Sequence, residues 1–502
     1  MGQTLISFEF IVFFAVVFIA YYSLARRYQW QFLLIVSYVF YALNNRWEYT
    51  FLLAAVTGIN FLAGILIQNA AQKSVERFYL MLSLGLNICV LFIFKYNHFL
   101  GIPLRLHGSG ISAAGRAMAV PLGISYFTFK VISYSVDIYR AKMKCEKNIG
   151  KFALFISFFP EISAGPIDRA KELLPQMVSP KLFMYDDAVS GLRLMLWGFF
   201  KKVVIANNLA IYVNQIFNSP REYSGSPLII AIYFLAFQLY ADFSGYTDIV
   251  RGAGRILGYR LPENFISPYF SKSISEFWTR WHITLSTWLR DYLFLPLSFF
   301  FSKRIKSSYV LFLNSNVLIY FSSALITFMI AGVWHGSTWT FIIWGLLHGF
   351  YLSFSNLTKS LRKKLRRKFS FHHKYPRLIT FIQTLFCFHL VTLSWIFFRA
   401  SSIRDALYIV RKMFSLNIAN LAHGFFNPLE LLRLGESKYG LIVSALAVLF
   451  LVVVEMKQKG QEIPHFLISK RRLLRWAAYY FILLSIFLLG EFGLKEFIYV
   501  QF

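Results

Sequence analysis

SSYVLFLNSNVLIYFSSALITFMIAGVWHGSTWTFIIWGLLHGFYLSFSNLT (307–358) runs for fifty-two residues without an Asp, Glu, Lys or Arg, yet it holds His335 and His348. One helix needs roughly 20 apolar residues to cross a bilayer, so this stretch must cross twice or enter and return. At its midpoint Gly332, Gly336, Ser337 and Thr338 lower helix propensity. Basic clusters close both ends, KRIK (303–306) and KSLRKKLRRK (359–368). Short basic loops stay cytoplasmic, so both ends share one side and His335 falls at the turning point of a broken hairpin. Non-helical backbone at membrane depth is tolerated only where it is buried in protein or lines a wet cavity. An ionisable side chain in such a place marks a pathway or a reactive centre. A lone core histidine is ordinarily structural. A Trp-His-Gly break is a stronger signal, and chemistry is expected first at His335.

The rest of the 502-residue chain has the same character. It is 57% hydrophobic, 19% aromatic and only 15% charged, against about 25% charged in soluble domains. Runs long or apolar enough to suggest spans lie near 5–24, 30–43, 50–68, 78–96, 118–139, 189–217, 227–243, 309–334, 337–357, 379–398, 438–455 and 474–490. Shorter or amphipathic pieces lie near 151–166 and 275–301. The expected fold is an all-α polytopic membrane protein with about 11–13 transmembrane helices, some broken or re-entrant. No internal repeat and no linker divides it. Residues 1–400 read as one membrane core, and 401–502 as surface helices plus a C-terminal transmembrane hairpin of the same unit. Within 400–437, Leu and Phe interleave with Arg, Lys and Asn, as in helices lying on a membrane surface.

The formal net charge is +29, but it does not point to nucleic acid. Basic residues gather in short loops between apolar runs, including Arg26–Arg27, KMKCEK (142–147), Lys457, Lys459 and KRRLLR (470–475). That is the positive-inside pattern, which also favours anionic lipid headgroups. The N-terminus has no basic region before its apolar run and meets Arg26–Arg27 after it, which predicts a retained first span with the N-terminus outside. Cys89, Cys145 and Cys387 lie far apart, so neither a disulfide framework nor a zinc site is supported. His372–His373, beside a basic run, reads as a solvated loop. No metal is expected.

Two further stretches carry polar chemistry. In SKSISEFWTRWHITLSTWLRDYLFLPL (271–297), Ser273 and Glu276 have capping-box spacing, and Trp278, Trp281 and Trp288 accompany Arg280, His282, Arg290 and Asp291. It reads as an interfacial or cavity-lining helix, with an aromatic belt and snorkelling arginines as the plainer alternative. In YADFSGYTDIVRGAGRILGY (240–259), Gly252, Gly254 and Gly258 have the wrong spacing for a dinucleotide loop and read as close helix packing. Asp242 and Asp248 fall on different helical faces, which argues against a paired-carboxylate device and leaves orienting a histidine or, as the plainer reading, pairing with Arg251 or Arg255.

Together, WHGSTWTFIIWGLLHG (334–349), FWTRWHITLSTWLRDYLFLPL (277–297), ADFSGYTDIVRGAGRILGYRLPENF (241–265), VPLGISYFTF (120–129) and FFPEISAGPIDR (158–169) resemble the membrane-bound O-acyltransferase family. The likeness is greatest to its bacterial alginate O-acetylase branch. It covers most of 1–400, the terminal FIYVQF (497–502) also resembles that branch, and Glu161-Ile162 before SAGPI is a small departure. The resemblance implies helices ringed around a central tunnel that joins a donor side to an acceptor side. It maps the family's catalytic histidine onto His335 and a second onto His282. His348 reads as a packing or hydrogen-bonding residue.

The resemblance implies transfer of an acetyl group from a cytoplasmic thioester to, or towards, hydroxyls of an extracytoplasmic polysaccharide, alginate-like. A neutral histidine suits the base role at physiological pH. His335 is the candidate base, while His282 polarises the carbonyl, stabilises the oxyanion or passes the proton on. No GxSxG elbow is present and no cysteine is suitably placed, which argues against an acyl-enzyme. No tightly bound cofactor is expected, and the donor is acetyl-CoA or an acyl-carrier thioester. The expected setting is the bacterial cytoplasmic (inner) membrane, with membrane lipid, the polysaccharide and a separate extracytoplasmic acetyltransferase as partners. Peptidoglycan or another exopolysaccharide, and D-alanyl transfer to teichoic acid, are the alternative reactions. A transporter or channel is the non-enzymatic alternative, since broken helices with polar residues at depth also mark transporters.

Overall fold

Apolar runs become helices because a backbone in lipid must satisfy its own hydrogen bonds. The structure, a computed structural model, describes residues 7–96, 120–310, 313–368, 374–413 and 438–493. The first helices are α1 (Phe8–Ser23), α2 (Gln29–Asn44), α3 (Glu48–Asn69), α4 (Lys73–Lys95), α5 (Ile124–Tyr139), α6 (Ile149–Ser157), α7 (Ala170–Val178) and α8 (Tyr185–Phe199). A π-helical stretch, Phe200–Ala206, leads into α9 (Asn207–Asn218), and α10 (Ser226–Ile256) follows. Next come α11 (Ile274–Arg280), α12 (Ile283–Leu289), α13 (Leu295–Arg304), α14 (Ser315–His335) and α15 (Trp339–Leu357). The last are α16 (Lys359–Lys368), α17 (Pro376–Arg399), α18 (Ile403–Met413), α19 (Lys438–Gln458), α20 (Ile463–Ile468) and α21 (Arg472–Leu489). The strands among the described residues are a two-residue antiparallel pair, Tyr309–Val310 with Leu313–Asn314.

The protein is an all-α polytopic membrane protein. Eight helices among the described residues are long and apolar enough to cross a membrane, with Tyr185–Asn218 counted as one. The remaining four runs expected to span form α1, α2, α5 and α15, of 16, 16, 16 and 19 residues. Sixteen residues rise about 24 Å, short of a hydrocarbon core of about 30 Å. Helix α5 buries Lys130 and Asp137 and belongs to the protein interior. Of the expected surface helices, α18 forms with Ala406 and Ile409 buried and Arg404, Leu407 and Arg411 exposed. Residues 97–117 and 414–437, His372–His373 and FIYVQF (497–502) lie outside the described residues.

The chain divides into two compact units, residues 1–198 with 246–262, and residues 199–245 with 263–502. In the first, α3, α4 and α5 share a buried polar seam. Asn60 and Asn87 exchange side-chain amide bonds of 3.0 and 2.8 Å, and Ser83 donates to Asn60 Oδ1 (3.0 Å) and meets Ser135 (3.1 Å). Such bonds hold helices together where lipid removes the hydrophobic drive between them. The same unit buries an ion pair: Lys130 Nζ donates to Glu161 Oε2 (2.8 Å) and to the Phe155 carbonyl (2.9 Å).

The second unit is built on the α14–α15 hairpin, which forms as the uncharged run suggests. A Cβ at Gly332 would lie 2.4 Å from the Phe341 carbonyl oxygen, and one at Gly345 would lie 2.1 Å from that of Phe328. Only glycine lets the two backbones approach so closely. The hairpin returns 313–315 and 357–359 to one end and leaves His335 at the other.

Candidate active site

Helix α14 ends at His335. Gly336 N–H still donates to the Gly332 carbonyl (3.3 Å), but Gly336 itself is extended, and α15 begins three residues later. His335 is 4% exposed. Its ring sits among those of Trp334 (centroids 4.6 Å apart), Trp344 (4.9 Å, perpendicular) and Phe398 (5.2 Å). Trp344 is buried, and its indole N–H has no acceptor among the described residues. These rings leave the imidazole almost wholly enclosed by protein.

The Trp-rich stretch 271–297, expected as one helix, is broken at the second histidine. Ser273 caps α11 by accepting from Glu276 N–H (3.2 Å), and Glu276 also pairs with Arg280 (2.6 Å). The helix then stops, and His282 adopts φ +41°, ψ +55° before α12 starts. A non-glycine residue in the left-handed region costs of order 1–3 kcal/mol and persists only where its surroundings over-determine it. Here Ile266 N–H donates to the Arg280 carbonyl and Ile283 N–H to the Asn264 carbonyl, both at 3.0 Å. The side-chain oxygen of Asn264 takes the Thr284 N–H (3.2 Å), the Thr284 hydroxyl (2.9 Å) and His282 Nδ1 (3.1 Å). That oxygen is an acceptor only, so Nδ1 carries the proton and the neutral ring has its lone pair on Nε2. Phe243 packs edge-on against the ring at 4.7 Å.

His348, in the middle of α15, is held differently. Trp278 Nε1 donates to His348 Nδ1 (3.3 Å), so Nε2 carries the proton and donates to Ser394 Oγ (2.8 Å), which in turn donates to the Val391 carbonyl (2.7 Å). With both ring nitrogens engaged, it is the hydrogen-bonding residue expected. His282 and His335 lie in one compact unit and are joined through aromatic rings. Trp281 meets Trp395 (5.0 Å), Trp395 meets Phe398 (5.4 Å), and Phe398 meets His335.

The two acids of 240–259 serve ion pairs. Asp242 accepts from Lys202, and Asp248 lies 3.8 Å from Arg251. Gly252 packs against the Gly191 carbonyl, as close helix packing requires. Sequence reading missed the buried lysines Lys130, Lys201 and Lys202 and the role of Asn264. Lys201 donates to Ser244 Oγ (2.9 Å) from the same π-helical stretch that carries Lys202. A cation inside an apolar run, as at 201–202, was the available signal. Among the described residues no group of three His, Cys, Asp or Glu is arranged to hold a metal.

Comparison with known proteins gives a consistent picture. The model of the MBOAT, membrane-bound O-acyltransferase family, matches residues 144–402. A peptidoglycan O-acetyltransferase of Helicobacter pylori is 33% identical over 390 residues, covering 72% of this chain and 70% of its own length. A probable alginate O-acetylase AlgI of Pseudomonas aeruginosa is 35% identical over 427 residues, covering 82% and 76%. A teichoic acid D-alanyltransferase of Bacillus subtilis is 32% identical over 249 residues, covering 49% and 61%.

Proposed function

The chain belongs to the membrane-bound O-acyltransferase family, and on that premise we propose that it moves an acetyl group from a cytoplasmic thioester to, or towards, hydroxyls of an extracytoplasmic polysaccharide. It is a multi-pass membrane acyltransferase, and with that the transport reading of the broken hairpin is set aside. The observation that carries the finer reading is the burial of both motif histidines in one unit, joined by a continuous aromatic wall.

In this reading His335 removes the proton of an acceptor hydroxyl as its oxygen bonds to the acyl carbon. The carbonyl electrons move onto oxygen, giving a tetrahedral oxyanion. Collapse re-forms the carbonyl, breaks the carbon–sulfur bond and releases a thiolate, which takes the proton back from the imidazolium. A positioned base contributes roughly 10²–10⁴ in rate. Of the three roles open to His282, its tautomer favours passing the proton onward, because Nε2 offers a lone pair and becomes a donor only after accepting a proton. The Trp344 N–H is the better oxyanion donor.

The acceptor is an alginate-like polysaccharide, with peptidoglycan first among the alternatives and D-alanyl transfer to teichoic acid second. The relatives' names span these three reactions. The donor is acetyl-CoA or an acyl-carrier thioester, and the setting is the bacterial cytoplasmic membrane. A separate extracytoplasmic acetyltransferase completes the transfer. The test is the ester-linked acetate of purified envelope polysaccharides, comparing wild type with His335→Ala at matched protein level. Loss from one glycan identifies the acceptor. Unchanged acetate in every fraction overturns the acetyl reading and directs the assay to ester-linked D-alanine.

A further inference from the structure

Glu455 is the one acidic residue of α19, a helix otherwise apolar enough to span a membrane. Ser444, Ala447, Leu451, Glu455 and Gln458 are all buried and recur every three or four residues, so they form one face of the helix. That face turns towards the second unit's interior, where α19 packs against the π-helical stretch and Phe450 meets Phe200 at 5.6 Å. An acid on the inward face of a span is costly and by default marks function. The chemistry described so far gives Glu455 none.

What Glu455 holds is Tyr240 of α10. The Tyr240 hydroxyl donates to Glu455 Oε1, and both residues are buried. The Tyr240 ring in turn meets those of Phe265 (5.9 Å), Tyr269 (5.6 Å) and Trp281 (6.2 Å). Two of these belong to the seat of His282. Phe265 stacks on the imidazole at 6.4 Å, and Trp281 ends α11 immediately before it. Phe243, one turn along α10 from Tyr240, closes the seat edge-on. A displaced Tyr240 therefore reaches His282 from two sides, through Phe265 and Trp281 and along α10. The left-handed backbone at His282 persists only while its surroundings hold it.

We propose that Glu455 is a positioning residue for acyl transfer, fixing the aromatic seat of His282 through its bond to Tyr240. The inference rests on the assignment of His282 to the reaction. Glu455 itself touches no reacting atom; it acts through the hydroxyl it accepts from. Misplacing a working group by about 1 Å costs up to about 10² in rate, which sets the size of effect expected.

The test reads the initial rate at which cells expressing the full-length chain at matched level incorporate radiolabelled acetate into envelope polysaccharide. The Tm of each purified variant in detergent is measured alongside. Glu455→Leu removes the acceptor and should lower the rate about 10–100-fold. Tyr240→Phe removes only the donor hydroxyl and should lower it to a similar degree, with the double variant no lower than the worse single. Glu455→Gln also removes the acid but keeps an oxygen for the hydroxyl, and should restore the rate to within about threefold of wild type. If Glu455→Leu does not fold, Tyr240→Phe carries the comparison with Glu455→Gln. His282→Ala separates the two levels of the argument. A wild-type rate in that variant overturns the assignment of His282, and this inference with it. Loss in His282→Ala beside a wild-type rate in Tyr240→Phe or Glu455→Leu overturns this inference alone. So does a double variant whose losses multiply, or a Glu455→Gln as slow as Glu455→Leu.

Discussion

The middle of α15 and the broken turn at 281–283 both bury a histidine, but they treat it in opposite ways. His348 sits in regular helix with one ring nitrogen accepting from Trp278 and the other donating to Ser394. His282 sits in strained left-handed backbone, and the bonds organised around it converge on Nδ1 through Asn264. One environment consumes the imidazole's chemistry, and the other fixes its tautomer. Burial of a histidine in a membrane protein is thus no guide to its role until the partners of each nitrogen are known. His335, at the hairpin's turn in an aromatic box, sides with His282 through the rings that join them.

Substitutions at four positions would break or sharpen that contrast. The largest effect is expected from His335→Ala, a loss of about 10²–10⁴ in transfer rate at matched protein level, read as acetate released from the acceptor glycan. Full activity in His335→Gln would remove it from the base role. Trp344→Phe keeps the aromatic wall and deletes the indole N–H. A drop of about 10² in kcat with KM little changed would mark an oxyanion donor, and an unchanged kcat would make the ring simple packing.

Asn264→Ala should lower kcat by roughly 10–100-fold through misplacement of His282. Asn264→Asp keeps the acceptor and adds a negative charge, which favours the imidazolium. Its rate should recover at high pH while the acidic limb of the pH–rate profile moves to higher pH. A profile that does not move would show that Asn264 only braces the loop. The smallest effect on catalysis belongs to His348→Gln, expected within about threefold of wild type per folded molecule. It should instead lose about 1–2 kcal/mol of stability as its bonds are replaced imperfectly, seen as a lower Tm in detergent. A large catalytic loss without a stability change would place His348 with the other two.

Much of this was legible in the sequence, for identifiable reasons. Fifty-two uncharged residues with small residues at the centre force a hairpin because hydrocarbon leaves the backbone no other way to return. Gly332, Gly336, Ser337 and Thr338 marked where it turns, while the close backbone contact at Gly332 and Gly345 is seen only in the fold. The Ser273–Glu276 spacing announced the start of α11, but nothing in FWTRWHITL announced that the helix would break at His282. That strain is held by Ile266, Asn264 and Thr284, through contacts no helical periodicity encodes. The pairing of Lys202 with Asp242 and of Lys130 with Glu161, separated by 40 and 31 residues, was equally hidden.

The sequence by itself determined that the chain lives in a membrane, where its hairpin turns and which motif histidines to suspect. Hydropathy and backbone satisfaction are local properties, and a linear string carries them in full. Tertiary structure alone decided which nitrogen of His282 and of His348 is protonated and which buried charges neutralise one another. Those depend on atoms brought within about 3 Å from distant parts of the chain, and only the packed fold brings them there.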